Sequence, residues 1–337
     1  MVQRNGNAAD NDCRFEEKRL TIYLRKQKLL RFAFVVCFCV GCAACAGAAP
    51  VRYAIIPENP FPGEAVTIGI DADNSDGVKS AVLYDSDGQR LSKSDFFVLE
   101  ADKGEKRLAA AVLTVPSTAE PGFAVIKMEG GADNTAEIPL VIRERAFASE
   151  EIPLDDTLTE IRTAPDPQKT AEAEQLWAIL NRHGNEIYAL GNFSPPVSST
   201  RRTGHFGDRR IFRYSNGKSD TAIHAGVDYG VPTGTPVTSC APGKVVLARF
   251  RIVTGHTVII EHLPGMYSLY YHLDKIETSE GALTVAGDLI GLSGSTGLST
   301  GPHLHWEIRV SGENTDPDAL ISRPILDKDA ILAKIGK

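Results

Sequence analysis

Two short stretches decide how the C-terminal part of this chain folds: HAGVDYG at residues 224–230 and GSTGLSTGPHLHWEIRV at residues 294–310. The second begins with glycine, serine and threonine, which is typical of a turn, and ends in the alternating pattern of a β-strand. Alternate residues of a strand share a face, so His303 and His305 are expected to point the same way. Gly226 argues against a helical turn, so His224 and Asp228 are also expected to point into one cleft.

Further strand-like segments surround these two stretches. TPVTSC, GKVVLARF, HTVIIEH, YSLYYHL and DLIGLSG are short, apolar and separated by glycine and proline. No periodic segment of helical length interrupts them. The pattern predicts a compact antiparallel β domain over residues 192–322, followed by a tail at residues 323–337.

The region before this domain is also rich in strands. Over residues 50–145, short alternating runs such as AVTIGI, SAVLYD and FAVIKME are separated by turn-forming clusters, which predicts an immunoglobulin-like β sandwich. Residues 146–191 read as a polar linker that contains one amphipathic helix, with Trp177 packing against a domain. The predicted fold class is therefore all-β, with a helical connector between two β domains.

The N-terminus has the pattern of an export signal over residues 1–48. A basic stretch precedes an apolar run from Phe32 to about Cys45, and small residues follow in AACAGAA. This predicts an exported protein of the periplasm or cell envelope, held at the membrane only if the N-terminus is uncleaved or is lipidated at Cys42 or Cys45. Cys240 alone follows the signal, so the mature chain has no internal disulfide, and we expect Cys240 to be a small buried strand residue.

Charge argues against a nucleic-acid partner. The 337 residues are 42% hydrophobic and 23% charged, with a formal net charge of -7. Residues 1–31 contain eight Lys/Arg against four Asp/Glu, so the remainder carries -11. Nothing after residue 50 forms the dense basic surface that phosphate binding requires.

The two histidine-containing stretches together suggest a metal centre. Zinc accepts imidazole nitrogens and carboxylate oxygens, and catalytic zinc sites typically use three protein ligands and leave one position open. Four candidates compete for these three places: His224, Asp228, His303 and His305. One of the four is therefore expected to have another function.

HAGVDYG, followed about 80 residues later by GSTGLSTGPHLHWEIR, resembles the lysostaphin/LytM family of zinc metallopeptidases. The resemblance includes the intervening APGKVV, HTVIIEH and LYYHL segments and covers about residues 192–320. It implies a LytM-like peptidase domain in which Zn²⁺ is bound by His224, Asp228 and His305. It also implies catalytic roles for His272 and His303, with His303 assigned as the base.

The resemblance implies a zinc-dependent endopeptidase that hydrolyses stem peptides or cross-bridges of peptidoglycan. The alternative is a non-catalytic LytM-like factor that binds cell wall, or activates a partner hydrolase through the β sandwich. A second enzymatic alternative keeps the zinc but cuts the amide that joins sugar to peptide. All five family positions are intact, which favours the endopeptidase.

Several neighbouring residues have two interpretations. Glu307 continues the alternation of the His303 strand, so it either orients a metal-binding imidazole or pairs with Arg309 or another strand. Strand alternation places Tyr270, and not Tyr271, on the face of His272. Structural roles are expected for three further histidines: His205, His256 and His262.

Overall fold

The computed structural model describes residues 51–336, apart from residue 76 and the segments 101–105 and 131–135. The export signal expected in residues 1–48 lies outside this part of the chain. Antiparallel strands dominate, which confirms the predicted all-β fold class. In the described part of the chain, every helix is too short or too polar to cross a membrane.

The N-terminal half is a sandwich of two four-stranded sheets, with the orders β1-β2-β6-β5 and β4-β3-β7-β8. Its strands are β1 (Tyr53–Ile56), β2 (Ala65–Asp71), β3 (Ser80–Asp85), β4 (Arg90–Asp95), β5 (Phe97–Leu99), β6 (Leu108–Thr114), β7 (Gly122–Glu129) and β8 (Glu137–Ile142). Alternate residues of facing strands, such as Ile68 and Leu83, fill the space between the sheets. A short 3-10 turn, Ala72–Asn74, follows β2.

The linker contains more structure than the sequence predicted. It forms β9 (Ser149–Pro153), helix α1 (Asp156–Thr163) and helix α2 (Pro167–Leu180). Asp155 caps α1 by accepting a bond from the amide of Leu158, at 2.8 Å. β9 escaped prediction because the sequence SEEIP has no apolar alternation, and its strand pairing is on an exposed sheet.

Helix α2 is the helix that the sequence predicted in the linker, but it packs differently. Ile179 and Leu180 at its C-terminal end are buried, whereas the side chain of Trp177 is 55% exposed. The prediction that Trp177 packs against a domain was therefore wrong, because more than half of its surface is exposed. The apolar contacts of the helix are made by Leu176, Ile179 and Leu180, and further upstream Glu172 accepts bonds from Arg251 and from the amide of Ile252.

The C-terminal domain is built on a sheet of ten strands with the main order β10-β13-β20-β17-β16-β15-β18. Its strands are β10 (Arg202–Gly204), β11 (Arg209–Arg213), β12 (Ser219–Ile223), β13 (Val227–Tyr229), β14 (Pro236–Thr238), β15 (Gly243–Arg251), β16 (Gly255–Leu263), β17 (Met266–Ile276), β18 (Leu283–Thr284), β19 (Leu289–Ser293), β20 (Leu304–Val310) and β21 (Glu313–Thr315). β11 and β12 form a separate small sheet with β9, in which β9 runs parallel to β11. The linker strand is thus part of the C-terminal half.

The C-terminal segment, expected to be a tail, is folded instead. Helix α3 (Pro317–Ser322) is followed by helix α4 (Lys328–Ile335), which packs on β1 and β2 of the sandwich. Gly69 has no side chain to obstruct Ile331, and the Thr67 hydroxyl donates to the carbonyl of Ile325 at 2.8 Å. β2 is therefore buried on both faces, by the sandwich core and by this C-terminal segment.

Ile331→Ala should lower the free energy of unfolding by about 2–4 kcal/mol, because Ile331 is fully buried between α4 and β2. Leu332→Ala is the matched control, since Leu332 is its neighbour on the same helix but only partly buried. Urea unfolding of both variants measures the difference. Equal losses would show that the contact with β2 does not anchor the helix.

Candidate metal centre and active site

Asp228 lies on β13, and His224 lies three residues before that strand. Gly226 between them lets this segment approach β20 closely. A side chain at Gly226 would collide with the backbone of Trp306 and Glu307 on β20. The Nδ1 atom of His224 lies 2.8 Å from the carbonyl oxygen of His205. Because a carbonyl can only accept, Nδ1 carries the proton and Nε2 presents a lone pair.

His305 stands directly opposite Asp228 in the antiparallel pairing of β13 and β20. Its Nδ1 lies 2.7 Å from Asp228 Oδ1 and 3.0 Å from His224 Nε2, and the latter lies 3.1 Å from the same carboxylate oxygen. All three donor atoms lie within 4.8 Å of one another, and all three residues are buried. Cross-strand pairing thus brings His305 to the pair His224 and Asp228, although Asp228 and His305 are 77 residues apart in sequence.

Glu307 makes both of the contacts that the sequence left open. Its Oε1 lies 3.0 Å from His305 Nε2, and its Oε2 accepts a bond of 2.9 Å from Arg309 Nε. Burial opposes ionisation of Glu307, but Arg309 and His305 together lower its pKa to about 2. The ionised carboxylate holds the Nε2 proton of His305 and leaves Nδ1 facing Asp228.

These contacts make the three residues a suitable cage for a cation. His224 Nε2, His305 Nδ1 and Asp228 Oδ1 all present lone pairs when both imidazoles are neutral, so none has a hydrogen to donate, yet they face one another at hydrogen-bond distance. Burial disfavours charge here, but Asp228 and Glu307 raise the pKa of His305 to about 9. A positive charge is what this arrangement attracts, and two imidazoles with one carboxylate are a donor set that fits zinc.

His272 and His303 lie beside the cage, with their ring centroids 4.8 Å apart. Their Nδ1 atoms lie 2.7 Å and 2.8 Å from the carbonyl oxygens of Thr296 and Gly301, so each Nε2 keeps its lone pair. Burial is the main cause that lowers both pKa values, that of His272 to about 3. Both rings are therefore neutral near pH 7. His303 Nε2 lies 3.8 Å from Asp228 Oδ1, outside the tight trio.

The comparisons with known proteins point to one family. The model of peptidase family M23 matches residues 222–317. The chain is 36% identical over 135 residues to the DD-carboxypeptidase/endopeptidase Mpg of Neisseria meningitidis serogroup B, and 35% identical over 143 residues to the peptidoglycan DD-endopeptidase ShyA of Vibrio cholerae. Residues 222–317 of this chain are therefore similar to a peptidase family M23 domain. The predicted resemblance to lysostaphin/LytM-type peptidases is confirmed.

The likeness to these relatives covers only part of each chain. The match to Mpg covers 40% of this chain and 30% of that protein, and the match to ShyA covers 42% and 33%. The chain thus spans about a third of the length of the curated relatives it matches. A crystal structure of a Pseudomonas aeruginosa protein described as a peptidase M23 aligns with a TM-score of 0.54 over 78% of this chain and 94% of that chain, at 23% identity. That likeness concerns the fold.

The strand geometry at His272 differs from simple alternation. His272 has a φ of 60°, in the left-handed region that residues other than glycine rarely adopt. This turn of the backbone brings His272 to the side of Tyr271, whose ring stacks on His305 with centroids 5.3 Å apart. The expectation that Tyr270 shares the face of His272 was therefore wrong: Tyr270 is buried and accepts a bond from the amide of Cys240.

Sequence reasoning missed an arginine that contacts the cage. Arg210 Nη2 donates to Asp228 Oδ2 at 2.7 Å, and Arg210 Nε donates to Glu150 Oε1 at 2.5 Å. Gly204 leaves the space for this ion pair, because a Cβ there would collide with Arg210 and Asp228. Glu150 on the linker strand β9 and the candidate metal ligand Asp228 are therefore bonded to the same guanidinium, that of Arg210. No local pattern signals this, since Glu150 and Arg210 are 60 residues apart.

Arg210→Met should lower the free energy of unfolding by about 2 kcal/mol or more, because Glu150 and the buried Asp228 would both lose their bond to the guanidinium. Arg213→Met is the matched control: Arg213 lies on the same strand and pairs with Glu151 on β9, but in an exposed bridge. Little change is expected for it. Chemical unfolding compares the two, and equal stability of both variants would contradict a structural role for the Arg210 pairs.

A groove of about 650 Å³ opens over the cage and the two neutral histidines. One wall comes from the linker and the small sheet and includes Ile152, Leu154, Phe212 and Ile223. The other wall comes from Val253 and the loop at residues 298–302, the glycine-rich turn before β20. The groove is thus open enough to bind an extended polymer, and the linker forms part of its wall.

The three further histidines, His205, His256 and His262, lie outside the cage, and the side chains of His256 and His262 make structural contacts. His262 is fully buried, and its two ring nitrogens lie 2.7 Å from the Pro242 carbonyl oxygen and from the Ser268 hydroxyl. Burial lowers its pKa to about 4. His256 bonds to the carbonyl of Leu273, at 3.2 Å, and the His205 side chain is exposed. Cys240 is fully buried, as expected.

Proposed function

We propose that this protein is an exported, zinc-dependent endopeptidase that hydrolyses peptide bonds of peptidoglycan. The observation that carries the proposal is the convergence of two imidazole nitrogens and one carboxylate oxygen on one point of an open groove, beside two neutral histidines that are not needed as ligands. A structural metal site would be closed and would need no such neighbours. We assign Zn²⁺ to His224, Asp228 and His305.

Zinc bound there would polarise the scissile carbonyl and make water a stronger nucleophile at neutral pH. The residues around it then handle protons. His303 Nε2 is unprotonated and lies next to Asp228, so we assign it as the base that takes a proton from the attacking water. After accepting that proton, the same atom can deliver it to the leaving amine. Glu307 and Arg210 hold His305 and Asp228 in place through the bonds described above.

His272, whose ring lies beside that of His303, also presents an unprotonated Nε2. Its Nδ1 proton is held by the carbonyl of Thr296, so the ring cannot turn without losing that bond. We assign His272 Nε2 to accepting a hydrogen bond from the second O–H of the attacking water, which fixes the direction of attack. The unusual backbone of His272 supports this assignment, because strained conformations of this kind cluster at functional sites.

The substrate follows from the groove and from the relatives. An extended peptide fits an open groove with apolar walls, and the matched relatives are called a peptidoglycan DD-endopeptidase and a DD-carboxypeptidase/endopeptidase. Peptidoglycan lies outside the inner membrane, so the export signal expected at residues 1–48 agrees with this substrate. We propose the periplasm or cell envelope as the location, and the sandwich as the surface for a regulatory partner.

Digestion of purified sacculi by the full chain tests the proposal. Zinc-loaded protein should release glycan strands that carry uncross-linked peptides through an intact sugar–peptide amide, and a chelator should stop the release until zinc is restored. Mass analysis of the fragments separates the alternatives. Free glycan strands with intact cross-linked peptides would identify the amidase, whereas no release by a zinc-loaded sample would leave the non-catalytic factor.

A further inference from the structure

The charged side chains that line the groove are paired, with one exception. Arg210 is bonded to Glu150 and Asp228, and Glu307 is bonded to Arg309. Arg162, at the apolar wall, donates to Asp220 at 2.9 Å. Arg201 also lines the groove, but in the described part of the chain no carboxylate lies within salt-bridge distance of it.

The fold places the guanidinium of Arg201 close to the candidate metal centre. The amide of Gly230 donates to the carbonyl of Arg201 at 3.1 Å, and Arg201 Nη1 donates weakly to the carbonyl of Gly230 at 3.4 Å. A Cβ on Gly230 would collide with this guanidinium, so the side chain lies across Gly230. Gly230 follows Asp228 by two residues, which corresponds to about 7 Å along an extended strand.

Residues 201–203 point alternately towards the groove and away from it. Arg201 and Thr203 line the groove, whereas Arg202 between them turns to the other side, where it stacks on Tyr229 and pairs with Asp318. Arg201 is exposed, and its single weak bond to a carbonyl leaves most guanidinium hydrogens free. A planar guanidinium with free hydrogens is suited to bidentate binding of a carboxylate.

We propose that Arg201 binds a carboxylate of the peptide substrate and that the site selects peptides with a free carboxylate near the scissile bond. The separation of about 7 Å between Gly230 and Asp228 along the strand limits this carboxylate to within about two residues of the bond that is cut. The inference rests on the proposed function and adds the class of substrate: an anionic peptide, bound by an uncompensated cation beside the metal centre.

The test uses the full chain loaded with zinc and two synthetic cross-linked peptide dimers. The dimers are identical except that one carries a free carboxylate next to the cleaved bond and the other carries the primary amide there. Unmodified protein should cut the free acid with a kcat/KM about tenfold higher, mainly through a lower KM, since a bond between charged groups is worth about that ratio. Arg201→Gln should reduce this preference to less than twofold, and Arg201→Lys should restore part of it.

Arg90→Gln is the control, because Arg90 is an exposed arginine on sandwich strand β4 and does not line the groove. It should retain the full preference. Equal cutting of both dimers by the unmodified protein would overturn the role of Arg201 but not the proposed endopeptidase activity. This comparison uses only the unmodified protein, so it does not depend on whether a variant folds. If neither dimer nor sacculi were cut, the proposed function itself would fail. A preference that persists in Arg201→Gln would also overturn the inference.

Discussion

His305→Ala is expected to abolish zinc binding and to reduce peptide hydrolysis on the order of 10⁴-fold. Zinc contributes several kcal/mol to stabilising the transition state, and each 1.36 kcal/mol corresponds to tenfold in rate. His305 is the proposed ligand that bridges the cage, since its Nδ1 lies within 3.0 Å of both other candidate ligand atoms. Its loss also leaves Glu307 and Asp228 without a shared partner.

Zinc content after dialysis and hydrolysis of a cross-linked peptide measure this effect. His205→Ala is the matched control: its side chain is exposed, and alanine keeps the backbone carbonyl that orients His224. It should bind zinc normally. One zinc ion per chain in the His305→Ala protein would refute the proposed ligand set, and activity without zinc would refute the metal mechanism.

His303→Ala and His272→Ala should behave differently, with zinc retained and turnover lowered by about 10²- to 10⁴-fold. This range is typical for the loss of a general base. Neither ring belongs to the tight trio of donor atoms, so neither is required to hold the ion. Zinc content and kcat, measured on the same samples, separate the two groups of variants. Loss of zinc equal to that in His305→Ala would overturn this division of roles.

His272 needs a control for its backbone, because φ is 60° at this position. His272→Gly should be more stable than His272→Ala by about 1 kcal/mol, since glycine adopts this conformation without strain. Both variants remove the imidazole, so both should lose the same turnover. Different kcat values at full zinc content would show that the backbone, and not the imidazole, limits the reaction.

The sequence predicted the fold class, and it predicted that the candidate residues point into one cleft. The strand alternation of β20 is enough to place His303, His305 and Glu307 on one side, because side chains of a strand repeat with a period of two. The choice of His305 over His303 as a zinc ligand came from the family resemblance. In the structure the tight trio contains His305, whereas His303 lies further from Asp228.

The sequence by itself therefore determined the elements whose signals are local: the β-strands, the linker helix α2, and the two short histidine-containing motifs. Tertiary structure alone decided what depends on distant pairing. The ion pairs of Arg210, the docking of α4 under the sandwich and the groove position of Arg201 join segments from about 29 to more than 250 residues apart. The left-handed backbone of His272 likewise overrode strand alternation. Local periodicity encodes which face a residue takes, but the partner across that face is set by long-range packing and charge.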